Sequence, residues 1–120
     1  MSPYGQELIL DMHKCGNVSM DVNLQTFCEE LAQLIDMQVE DFHIWASEPK
    51  DEKNPKLFGQ SAIQFILTSN ITIHTLPLFR GGSVYINLFS CKPFDVSIAK
   101  RFCETWFEAK EIRSQEVQRI

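Results

Sequence analysis

Cysteine is scarce in this chain. Cys15, Cys28, Cys91 and Cys103 are the four present, and no two form a CxxC pair. That spacing argues against a zinc site, and a reducing compartment leaves such thiols unpaired. Positive charge is scarce too: 11 Lys and Arg face 16 Asp and Glu, a formal charge of −5, and the basic residues gather into no stripe. Nucleic acid and anionic membranes are therefore not expected partners. No apolar run approaches the roughly 18 residues that would cross a bilayer. The start, Met1-Ser2-Pro3-Tyr4-Gly5, lacks the basic region and apolar run of a secretory signal, so a cytoplasmic location is expected. The five glycines build no phosphate-binding loop, and no serine-hydrolase elbow occurs. Repeats and low-complexity stretches are absent.

What remains is ordinary globular material. Of the 120 residues, 44% are hydrophobic and 22% charged, which fits one folded domain over residues 1–120 with a modest core. Gln6 to Met12 reads as a strand. Asp21 stands at a helix N-cap position, and Leu24, Phe27, Cys28, Leu31, Leu34 and Ile35 then recur at helical spacing, which predicts a helix over 22–36. Asp41 to Ala46 predicts a second strand, and the charged, proline-bearing stretch 48–57 a solvated loop. Residues 61–67, 71–76 and 83–91 are β-rich, with Arg80-Gly81-Gly82 as the turn before the last run. Asp95 caps a second helix whose buried stripe is Ile98, Phe102, Cys103, Trp106 and Ala109, widened by Phe107. The tail from Ile112 reads as an edge strand or a frayed end.

Consecutive strands with short turns pair antiparallel, and two helices cover one face of such a sheet. The expectation is a two-layer α/β (α+β) sandwich, mainly antiparallel, with both helices packed on one face. Tyr85, Asn87 and Phe89 alternate with Val84, Ile86 and Leu88, so both faces of that strand are substantially apolar. A homodimer covering the second face is expected. Cys28 and Cys103 fall within the helical patterns as small core residues.

Taken singly, the remaining polar residues have plain explanations. Thr68-Ser69-Asn70 reads as a hairpin turn. His74 sits inside a strand with Ile71 and Ile73 on the opposite face, as a satisfied structural histidine does. Cys91 ends a strand as a small hydrophobe, and Trp45 reads as a core tryptophan.

Together they read differently. Phe65-Ile-Leu-Thr-Ser69-Asn-Ile-Thr-Ile-His74-Thr75, followed by Asn87-Leu-Phe-Ser-Cys91, resembles the small prokaryotic form of S-adenosylmethionine decarboxylase. Gly5 to Cys15 is similar to that family's first strand, and Phe42-His43 to its second. The resemblance implies a chain that cuts itself between Thr68 and Ser69, leaving Ser69 as a pyruvoyl group, with no metal. Ser69 Oγ would attack the Thr68 carbonyl, Ser61 would hydrogen-bond the tetrahedral intermediate, and His74 would remove the Cα proton of residue 69. Cys91 would protonate the substrate carbon after carbon dioxide leaves. The chemistry needs an electron sink because no ordinary side chain delocalises the carbanion left by decarboxylation. The implied substrate is a small amino-acid-type molecule, S-adenosylmethionine, serving polyamine (spermidine) synthesis, with Trp45 offering a ring to the adenine.

Three departures from the family pattern bear on substrate. The family usually cleaves between Glu and Ser and follows the serine with His; this chain has Thr68-Ser69-Asn70. The family continues Thr-Trp-Pro-Glu after the histidine; this chain has Thr75-Leu76-Pro77-Leu78. Leu78 accepts no hydrogen bond, so a ribose held there loses roughly 1–3 kcal/mol. The turn at Arg80-Gly81-Gly82 is also two residues longer than usual. The same chemistry on a ribose-free amino acid such as ornithine or arginine, and an uncleaved, non-catalytic binding or regulatory homologue, stand as alternatives.

Overall fold

The computed structural model describes residues 2–120. Strands β1 (Gly5–His13), β2 (Val39–Ala46), β3 (Gln60–Ile66), β4 (Ser69–Leu76), β5 (Ser83–Ser90) and β6 (Glu111–Arg119) form one sheet in the order β2-β3-β4-β5-β1-β6. Every neighbouring pair is antiparallel. Helix α1 (Leu24–Leu34) follows β1, and helix α2 (Val96–Trp106) follows β5.

Side-chain alternation in the strands sets the layers. Leu8, Leu10 and Met12 of β1, Ile71 and Ile73 of β4, and Val84, Ile86 and Leu88 of β5 are buried. They meet Leu24, Phe27, Leu31, Ala99, Cys103 and Phe107 from the helical layer. The helices share one face and touch each other. The Phe27 ring centroid lies 5.7 Å from that of Phe102, 5.2 Å from Trp106 and 4.8 Å from Phe107. The expected two-layer sandwich is the observed fold.

Two local expectations change. Asp21 is not the N-cap of α1; its own N–H donates to Ser19 Oγ within a turn. Asn23 takes the cap, accepting from the Thr26 N–H at 3.0 Å, and the helix starts at Leu24. Ile98 does not join the buried stripe of α2 and is 44% exposed. The stripe instead runs at a spacing of four residues through Ala99, Cys103 and Phe107, with Phe102, Trp106 and Ala109 packed partly buried beside it.

 The register explains this: Ile98 sits one position, about 100°, away from Ala99 around the helix. The tail is ordered as β6, an edge strand paired along its whole length with β1. The loop after β2 contains a single 3₁₀ turn, Pro49–Lys53.

Among the described residues, no helix covers the sheet's other face. Trp45, Ile63 and Phe65 are exposed there. A row of residues crosses it in register: Trp45, Ser61, His74, Tyr85, Asp11 and Arg113. Among the described residues, no helix is long and apolar enough to cross a membrane.

Candidate active site

The tip of the β3–β4 hairpin sets the first group of residues. Ile66 pairs with Ser69, so the turn is Leu67-Thr68, and Ser69 is the first residue of β4 rather than part of the turn. Thr68 has a φ of 52°, the left-handed value that lets so tight a turn close. Its hydroxyl donates to the Leu67 carbonyl at 2.8 Å. Ser69 is 6% exposed, and its Oγ accepts the Cys91 N–H at 2.9 Å. Gly5 allows the approach of β1 to this end of β5: a Cβ there would lie 1.9 Å from the Ser90 carbonyl oxygen.

Cys91 follows β5 and keeps part of its surface open. Its Sγ lies 3.9 Å from the Leu67 carbonyl oxygen. The hydroxyls of Thr68 and then Ser69 hold its thiol below the ordinary value, with a smaller contribution from the Lys92 ammonium. The other three cysteines are buried. Desolvation pushes Cys15 up to about 11 and Cys28 up to about 12, and raises Cys103 as well. Of the four, Cys91 is therefore the thiol whose surroundings most favour ionisation. Lys92 donates from its Nζ to the carbonyl of Asp36 at the end of α1, 2.5 Å away. A cleft of about 700 Å³ opens here, bordered by Ser69, Cys91, Lys92, Leu67 and the end of α1.

The second group sits at the other end of β4. Ser61 and His74 are cross-strand partners, and the Ser61 hydroxyl lies 2.7 Å from His74 Nδ1. Trp45, 62% exposed, and Leu76 join them around a cleft of about 740 Å³. Tyr85 borders the same cleft. It was legible only as an outward residue of its strand; the register that sets it beside His74 is a tertiary fact. Leu78 does not border this cleft and is 46% exposed.

The sequence-predicted residues thus fall into two pairs. Ser69 joins Cys91, and Ser61 joins His74, but the pairs do not meet within one chain. His74 stands five positions along the strand from Ser69, about 16 Å at 3.3 Å per residue. An odd spacing also turns the two side chains to opposite faces. Within one chain, His74 therefore does not lie beside Ser69. Among the described residues, no group of three or more His, Cys, Asp or Glu side chains is placed to hold a metal ion.

Comparison with known proteins adds a family. No curated protein matches the chain. Among solved structures, the adenosylmethionine decarboxylase of Aquifex aeolicus VF5 is similar in fold, with a TM-score of 0.76 at 18% identity, covering 99% of this chain and 92% of that one. The family model described as S-adenosylmethionine decarboxylase matches residues 6–120. With that match running from the first strand to the last residue, this chain belongs to the S-adenosylmethionine decarboxylase family.

Proposed function

We propose that the chain is a self-cleaving, pyruvoyl-dependent decarboxylase acting on S-adenosylmethionine, and that two copies share each active site. The observation that carries this reading is the Ser69 hydroxyl, buried, fixed by the Cys91 N–H and set directly after a left-handed residue in a tight turn. Serine is the residue type that yields a pyruvoyl group, and a cleft with the Cys91 thiol beside it leaves room for one. That group supplies the electron sink that decarboxylation needs.

In self-cleavage, Ser69 Oγ bonds to the Thr68 carbonyl carbon as the C–N bond breaks, giving an ester and a free amine. A base then takes the Ser69 Cα proton, and the Thr68 carboxylate leaves. His74 has the imidazole for this step, with Ser61 at 2.7 Å to orient it. Because it lies about 16 Å along the strand from its own Ser69, the His74 that acts is the second copy's. The uncovered sheet face is the surface for that copy. Two such faces stacked about 10 Å apart, with their β4 strands antiparallel, bring the β3–β4 tip of one over the His74 end of the other, so that His74 approaches residue 69 from the face opposite its side chain. Trp45 of the second copy then offers its ring to the adenine. Cys91, a more acidic thiol than usual, returns a proton to the substrate carbon. The product would be an aminopropyl donor for polyamine synthesis in the cytoplasm.

A second reading keeps the chemistry and changes the substrate to ornithine or arginine. Leu78, where the family pattern has a carboxylate for the ribose, favours it, since it is apolar and lies outside the Trp45 cleft. The mass of the purified chain tests the shared chemistry. The 13.9 kDa chain should split between Thr68 and Ser69 into pieces of roughly 8 and 6 kDa, scaled by residue count, the smaller resisting Edman sequencing. Ser69→Ala should stay whole. A wild-type mass unchanged after prolonged incubation, hydroxylamine included, would exclude the pyruvoyl enzyme. Release of carbon dioxide from ornithine or arginine but not from S-adenosylmethionine selects the second reading.

A further inference from the structure

We infer that the left-handed backbone of Thr68 is a driving element of self-cleavage, acting by strain on the bond to be cut. The inference rests on the reading of Ser69 as the precursor residue. Among the described residues, five non-glycine residues have a positive φ: Lys14, Asp36, Thr68, Arg80 and Glu108. Thr68 alone among them is β-branched, and for such a residue the left-handed region is a steric outlier. It also alone carries the carbonyl that the Ser69 hydroxyl can attack.

The surroundings hold Thr68 in this conformation. The strands on either side are paired up to Ile66 and Ser69, so the turn has two residues in which to reverse the chain. The Thr68 hydroxyl is engaged with the Leu67 carbonyl, and Ser69 is tied to Cys91. Surroundings that over-determine a strained residue are the condition for its persistence.

The acyl shift offers a way out. Before it, the chain runs from the Thr68 carbonyl carbon through the amide nitrogen to the Ser69 Cα. Afterwards it runs through Oγ and Cβ, one bond longer. The hydroxyl proton passes to the released amine nitrogen, so the step balances without a co-reactant. The longer tip no longer needs a left-handed residue to close, and scission removes the requirement altogether. Strain thus favours the ester over an amide that is intrinsically the more stable of the two.

The test is the cleavage rate, followed by intact mass, for wild type, Thr68→Gly and Thr68→Val. Glycine accepts a positive φ without steric penalty, so Thr68→Gly should cleave about 5–30-fold more slowly, the factor that one left-handed residue's strain represents. Valine keeps the branch that makes the left-handed region costly and lacks only the hydroxyl, so Thr68→Val should cleave faster than Thr68→Gly. In a Ser69→Ala background, where no cleavage intervenes, Thr68→Gly should raise the melting temperature. A residue that merely held the turn would not give higher stability with slower cleavage. Thr68→Gly cleaving at the wild-type rate, or Thr68→Val as slow as Thr68→Gly, overturns the inference while leaving the pyruvoyl reading intact. A wild-type chain that never cleaves removes both.

Discussion

The four thiols of this chain differ because of what surrounds each sulfur. Cys28 and Cys103 lie in the helix–sheet core and Cys15 at its margin, and burial makes each harder to ionise. Cys91 is open to solvent and faces two hydroxyls and an ammonium, which stabilise its thiolate. A native chain carrying Ser69→Ala should therefore take up one iodoacetamide adduct near neutral pH, and peptide mapping should place it on Cys91. Thr68→Val in that background deletes the hydroxyl with the largest influence, so the alkylation midpoint should move to higher pH. Equal labelling of Cys91 and Cys15 would contradict this account of the site. The sequence made Cys91 a candidate through a family resemblance. It held no sign of the hydroxyl contacts, because residues 68 and 91 meet only when β4 pairs with β5.

At the scale of elements, apolar spacing made both helices and most strands legible, since the 3.6 and 2.0 periods follow directly from burial on one face. Helix ends were less legible. Asp21 and Asn23 are both cap-type residues two positions apart, and the turn from Ser19 to Val22 decides between them. Asn23→Ala should cost about 1 kcal/mol in chemical denaturation. Asp21→Ala should change stability by less than about 0.5 kcal/mol. A larger loss for Asp21→Ala would restore it as the cap. The helix layer itself hangs on Phe27, which is fully buried among Phe102, Trp106 and Phe107. Phe27→Ala should destabilise by about 3–5 kcal/mol, read from the urea midpoint. Ile98→Ala, at an exposed position, should be nearly silent, which separates the observed stripe of α2 from the one that its apolar residues alone suggest.

At the scale of the whole molecule, the sequence brought four chemical residues together and the fold draws them apart again. A spacing of five looks compact on a written chain, but on an extended strand it is a long distance and a change of face. Ser69 with Cys91 and Ser61 with His74 are each incomplete, and the sheet face between the helices' far side and solvent is uncovered. Complementation tests whether a second copy completes them. Ser69→Ala chains keep His74, and His74→Ala chains keep Ser69, so neither homodimer contains a full set. Mixing them from denaturant yields heterodimers in which the Ser69 of one chain faces the His74 of the other at one of the two sites. Random assortment puts roughly half of the His74→Ala chains into heterodimers, so roughly half of those chains should cleave at Thr68–Ser69, while every Ser69→Ala chain stays whole. Sedimentation should find dimers in the mixture. Dimers that form without any cleavage, alongside a wild type that cleaves normally, would place the base within the same chain and require the β3–β4 hairpin to rearrange before it reacts.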